Sequence, residues 1–127
     1  MERRKISTGS VWEPKLGYSR AVRVGPFISV SGTTGADADG KPGKGEYEQA
    51  RLALAKIERA LREAGACMDD VVRTRIYMID ASKWEEVARA HSEHFRITRP
   101  ATTLVEIKAL IDAAFVVEIE ADAIVTD

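Results

Sequence analysis

The groups in this chain best placed to do chemistry are carboxylates. In VVEIEADA, Glu118, Glu120 and Asp122 recur at every second residue, with Val117, Ile119, Ala121 and Ala123 between them. That alternation predicts a half-buried strand over Val116–Val125, apolar on one face and acidic on the other. Glu106 closes a second alternating run, Ala101–Ile107. Like charges in a row repel unless something answers them, and Arg73 and Arg75 in VVRTRIYMI are spaced to do so from a neighbouring strand. Two interpretations follow. The acids and arginines form a salt-bridge network, or one carboxylate, with Glu118 the candidate, sits in a partly dry cleft and orients or activates water.

Other chemistries fare worse. His91 and His94 lie three apart in a helical segment near Glu86 and Glu93. A metal needs both on one face with a third ligand, yet His91 falls on the apolar stripe, so no metal site is expected. Cys67, the only cysteine, follows a helix C-terminus, where the dipole disfavours a thiolate. It rules out an intramolecular disulfide and suits a reducing compartment, which makes cytoplasm the default. Gly43-Lys44-Gly45 lacks the Ser or Thr of a phosphate loop. Asp37-Ala38-Asp39-Gly40 is too short for a calcium loop. Both read as parts of a flexible loop, Thr33–Gly45.

The elements that must position the carboxylates read in order as β-β-β-α-β-α-β-β. Arg3–Ser7 is an edge strand, and Ser10–Gly17 a loop. Arg20–Val24 and Phe27–Ser31 form a hairpin across Gly25-Pro26. Glu46–Ala64 is a helix whose stripe is Ala50, Ala53, Leu54, Ile57, Leu61 and Ala64, with Gly65 at its C-terminal end. In the strand Val71–Ile79, the residues Val72, Thr74, Ile76 and Met78 share one face, and Arg73, Arg75 and Tyr77 the other. Ser82–Phe95 is a second helix, opened by a Ser82-x-x-Glu85 capping box and buried through Trp84, Val87, Ala88, His91 and Phe95. The result is one α+β domain over residues 1–127, with two helices covering one face of a mixed six-stranded sheet. Two helices leave the charged face open, for other subunits to meet.

At 127 residues, 45% hydrophobic and 31% charged, the chain has the composition of a single globular core. Its net charge of −1 gives no basic excess for a nucleic-acid backbone. No apolar run approaches the ~18 residues of a membrane span, and the charged start MERRKISTGS shows no signal peptide.

Several short pieces, in this order, resemble the Rid (reactive intermediate deaminase, YjgF-like) family. They are Tyr18-Ser19, Phe27–Gly32 (FISVSG), Ala64-Gly65 with Val71–Tyr77 (VVRTRIY), Pro100-Ala101 and Val117–Ala121 (VEIEA). The resemblance implies a chorismate-mutase-like fold, a homotrimer with clefts at subunit interfaces, and a small-molecule substrate there. It also implies hydrolysis of imines or enamines to a carbonyl product and ammonia, with no cofactor. Carried over by residue, Glu118 becomes the water-positioning carboxylate, and Tyr18, Ser31 and Gly32 line the cleft.

One departure bears on substrate. The family's substrate-carboxylate Arg follows Pro-Ala, and here Thr102 stands there, with Thr103 next. A threonine hydroxyl cannot replace a bidentate guanidinium. Arg99 lies ~10 Å back along the strand and on the opposite face, which leaves Arg20, Arg73 and Arg75 as the remaining cations. The family's Asn on the second helix is Ala88 here. An imine or enamine other than a simple α-imino acid is therefore expected as substrate. The alternative is a non-catalytic metabolite-binding or interaction module on the same trimer. A mutase on the shared fold would need converging cations, and a ribonuclease gains nothing from this charge balance or from the histidines.

Overall fold

The computed structural model describes residues 1–126. The strands are β1 (Arg3–Ile6), β2 (Ala21–Val24), β3 (Phe27–Thr34), β4 (Val71–Met78), β5 (Ala101–Glu106) and β6 (Val117–Ile124). The helices are α1 (Trp12–Leu16), α2 (Gly45–Glu63) and α3 (Trp84–Phe95). One mixed sheet runs in the order β1-β2-β3-β6-β4-β5, with β4 and β5 parallel and every other pair antiparallel. The last strand therefore sits in the middle. It joins the N-terminal meander to the β4-β5 pair, and among the described residues no other strand links the two halves.

The core is the layer between the sheet and α2 and α3. Ala50, Ala53, Leu54, Ile57 and Leu61 on α2 are each fully buried against Ile28, Ile119 and Val117. Glu46 and Glu48 occupy the first turn of α2, where the helix dipole favours negative charge. Gly65, at φ 86°, turns the chain out of the helix, and the Arg23 guanidinium donates to Ala64 O at 2.6 Å, satisfying one of its last carbonyls. Among the described residues no helix is long and apolar enough to cross a membrane.

Four details differ from expectation, each for a local reason. The Ser10–Gly17 loop contains the five-residue helix α1, too short to show periodicity. On β4 the register slips between Val71 and Arg73. This β-bulge turns Val72 outward, 43% exposed, and buries Val71 in its place. The start of α3 carries no capping box. Asp80 accepts from Ser82 N and Ser82 Oγ, drawing residues 81–83 into a 3₁₀ turn so that the helix begins at Trp84. Trp84 is half exposed at that rim, and Val87, Ala90 and Phe95 form the buried face. Finally, the loop after β3 is pinned. Asp37 Oδ1 accepts from Asp39 N and Lys41 N, and Gly43 N donates to Gly35 O.

Gln49, only 3% exposed, ties this loop and the approach to β6 to α2. Its Nε2 donates to Gly43 O and Ala114 O at 3.0 and 3.1 Å, and its Oε1 accepts from Val116 N at 2.8 Å. Gln49→Leu would remove three hydrogen bonds from part-buried backbone groups, so it is expected to lower stability by ~2 kcal/mol. Urea unfolding should show a lower midpoint with an unchanged slope.

Candidate functional site

Glu118 projects from β6 onto the open face of the sheet, in register with Thr34 on β3 and Tyr77 on β4. Its surroundings are shaped by a second β-bulge. Val30 pairs with Ala121 and Thr33 with Ile119, so β3 spends three residues where β6 spends two. The extra residue falls at Ser31-Gly32, beside the carboxylates. A Cβ at Gly32 would stand 3.0 Å from both Cδ and Oε2 of Glu118, so a side chain there would press on the carboxyl. The carboxyl thus rests directly on bare backbone. This burial pushes its pKa up, Arg20 pulls it down, and Glu120 adds to the upward push.

The bulge is held from behind by Arg20. Its Nη2 donates to Gly32 O at 3.0 Å and its Nη1 to Thr33 Oγ1 at 2.9 Å. Ser31 Oγ donates to Ser19 O at 2.6 Å. The Tyr18 ring lies 5.7 Å from the Arg20 guanidinium. Tyr18 is placed in turn by Glu13, whose carbonyl accepts from Gly17 N and Tyr18 N. The Glu13 side chain is 5% exposed and accepts from Ser7 Oγ, Thr8 N and Thr8 Oγ1. Burial opposes its charge, but those hydrogen bonds and Arg20 outweigh it and hold the pKa below the ordinary carboxylate range. The segment carrying α1 so becomes a wall of an open cleft of ≈ 1140 Å³, lined by Tyr18, Ser31, Lys5, Arg75 and Glu120 among others. Ser31 lines the cleft, and Gly32, next in the chain, carries the contact with Glu118.

The other candidates lie elsewhere. Thr102 is on the helix side of the sheet, where its Oγ1 lies 2.8 Å from the buried Thr74 Oγ1, which in turn lies 2.9 Å from His91 Nε2. Thr103 is on the open face, accepting from Arg73 Nη2 at 2.7 Å. It belongs to edge strand β5, with β4 between it and β6, and so sits roughly 10 Å across the sheet from the Glu118 strand. One copy therefore places Tyr18 and Ser31 on the cleft and Glu118 against Gly32, next to Ser31 in the chain but outside the residues that line that cleft, and it joins neither threonine to them.

The arginines answer only part of the acidic row. Arg75 lies 3.0 Å from Asp122 and 3.5 Å from Glu120, and Tyr77 OH donates to Glu120 at 3.0 Å. Glu118 receives neither. His91, packed 4.6 Å from the Phe95 ring, is held toward its neutral form by burial and by His94. Two contributors gave no sequence signal. Glu13 reads as one more polar loop residue, and Lys56 as a polar residue flanking the α2 stripe. Lys56 donates to Thr34 O at 3.1 Å, and burial beside Arg20 and Arg59 lowers its pKa.

Comparisons with known proteins bear on the family and the fold. A family model described as endoribonuclease L-PSP matches residues 9–125. The uncharacterised protein SCO2049 of Streptomyces coelicolor is 36% identical over 121 residues, covering 94% of this chain and 90% of that one. The 2-iminobutanoate/2-iminopropanoate deaminase of Capra hircus is 34% identical over 125 residues, covering 96% and 90%. Among solved structures, Rv2704 of Mycobacterium tuberculosis, a member of the YjgF/YER057c/UK114 family, superposes with a TM-score of 0.92 at 50% identity, covering 98% of this chain and 100% of that one. Matched along nearly its whole length in both sequence and fold, the chain belongs to the YjgF (Rid) family.

Proposed function

We propose that the protein hydrolyses a reactive imine or enamine to a carbonyl product and ammonia, with Glu118 as the carboxylate that orients the water. One observation carries this. Glu118 is a half-buried carboxyl resting on Gly32, free of the ion pairs that occupy Glu120 and Asp122. Adding water to a protonated C=N bond needs a held substrate, a placed water and one acid–base group. Tyr18 and Ser31 would hold the substrate beside that group. A goat relative of similar length bears the name of an imine deaminase.

The site is completed, in this proposal, by a second copy of the chain in a homotrimer. Phe27 and Val105 are 57% and 41% exposed on the open face, apolar surface suited to burial between subunits. Thr102 and Thr103 can approach a Glu118 carboxyl only from a neighbouring copy. A neutral threonine there favours a substrate without a carboxylate beside the C=N carbon. The three arginines nearest the acidic row are engaged: Arg75 by Asp122 and Glu120, Arg73 by Thr103, and Arg20 by Gly32 and Thr33. The same engagement counts against a mutase acting on a dicarboxylate. A ribonuclease is disfavoured because His91, bonded to Thr74, lies on the helix side, away from Glu118.

Deamination of enzymatically generated imines should be strongest for substrates lacking an α-carboxylate, and Thr102→Arg should shift preference toward α-imino acids. Silence of wild type and Thr102→Arg on the whole panel would overturn the assignment.

Glu118→Gln should lower turnover by about 10²–10⁴-fold without lowering thermal stability at neutral pH. The sign follows from burial. The folded state binds the Glu118 proton more tightly than the unfolded chain, so this group costs stability as pH rises through its raised pKa. Melting curves of the Gln variant should therefore lie at or above wild type near neutrality and converge with it in acid. Wild-type activity should fall as pH drops through that same raised value.

A further inference from the structure

Arg20 stands out once the site is assembled. It bonds the glycine on which Glu118 rests and lies near Tyr18. Its backbone is clamped between β1 and β3, with Arg20 N donating to Ile6 O at 2.8 Å and Ser31 N donating to Arg20 O at 2.9 Å. Its two terminal nitrogens hold Gly32 O and Thr33 Oγ1. Gly32 is the residue on which the Glu118 carboxyl rests, so Arg20 and Glu118 meet the same glycine. Among the described residues, Arg20 Nε is the buried side-chain nitrogen or oxygen left with no partner. An unmet buried donor costs stability. A neutral side chain could support the bulge without that cost, so a cation at this position needs a reason beyond packing.

We propose that Arg20 is a positioning residue for Glu118: its guanidinium fixes the Ser31-Gly32 bulge under the carboxyl and supplies the positive charge that keeps the carboxylate available to water. For turnover this rests on the deaminase reading; for electrostatics it does not. The charged and titratable groups around Glu118 come from four directions. Glu120 follows it on β6, Tyr77 faces it from β4, and Arg20 approaches ahead of β2. Lys56 bonds Thr34 O from α2 and is itself depressed by Arg20. Of these, burial and Glu120 disfavour the Glu118 charge, and Arg20 is the one that favours it. Arg20 also lies near the Tyr18 ring, so one side chain sets the spacing between the aromatic wall and the carboxyl.

The test is a carbon-13 NMR titration of glutamate side-chain carboxyls in the full-length protein, with the Glu118 resonance assigned by its loss in Glu118→Gln. Arg20→Gln should move the Glu118 midpoint to higher pH, while Arg20→Lys, which keeps the charge, should stay near wild type. Thr33→Val removes one of the bonds made by Arg20 without changing charge, and should leave the midpoint in place. If a deaminated substrate is in hand, the acid limb of kcat/KM for Arg20→Gln should move the same way, a loss on the order of fivefold to tenfold at the wild-type midpoint. The proposal is overturned if Glu118 titrates alike in wild type and Arg20→Gln. It is overturned equally if Thr33→Val shifts the midpoint as far as Arg20→Gln does. The titration needs no turnover, so absence of activity would remove the deaminase reading and still leave Arg20 decided.

Discussion

The sheet depends on one strand having two incompatible faces. β6 lies between β3 and β4 and links the two halves of the sheet. Val117, Ile119, Ala121 and Ala123 must be dry for the core to close, and all are at most 1% exposed. Period-two geometry then forces Glu118, Glu120 and Asp122 onto the other face. A core strand with three carboxylates on its back cannot face an apolar layer, so that side must remain polar, open or occupied by charged partners. The position of the site is thus a consequence of how the core is built. Pairing of residues 27–34 with 117–124 also makes the sheet a product of late, long-range contacts, since neither half can be completed until the C-terminal strand arrives.

Differences among the three acids then come from their neighbours. Glu120 sits opposite Arg75, which also reaches Asp122 on the diagonal, and Tyr77, although opposite Glu118, gives its hydroxyl to Glu120. Glu118 is one step further along, beside the β3 bulge. There the extra residue presents Gly32 in place of a cation. The same stretch of alternating sequence therefore produces two ion-paired acids and one desolvated acid. The bulge is what separates their chemistry, because it exchanges a side-chain partner for bare backbone.

The alternation of β6 was legible because both faces obey it without exception, and the α2 stripe because 19 residues give five turns of evidence. Features that break a period were not. Val72 reads as an inward residue until the bulge displaces it, and α1 is too short to have a period. Ser82-x-x-Glu85 has the letters of a capping box, but Asp80 claims the serine first. Within the candidate site, Glu118, Tyr18, Ser31 and Gly32 were recoverable as a group. The sidedness of Thr102 and Thr103 was not, because on an exposed edge strand polar and apolar residues carry little facing information. Glu13 gave no pattern at all; its role is to satisfy Ser7 and Thr8 and so hold the loop that carries Tyr18.

Charge accounting around Glu118 bears on what the cleft can hold. A protonated C=N group is a cation, and the group that burial leaves short of compensation is a carboxylate. Bringing the two together relieves both, provided no stronger cation competes for the same carboxyl. Arg75 is drawn away by Asp122 and Glu120, and Arg20 spends its terminal nitrogens on Gly32 and Thr33. Threonine in place of arginine after Pro100-Ala101 extends the same economy. In the proposed trimer, it would remove a cation that could attract a carboxylated substrate. On the proposed deaminase reading, a cleft built this way would favour an iminium whose positive charge is its main electrostatic feature over one that carries its own carboxylate beside it.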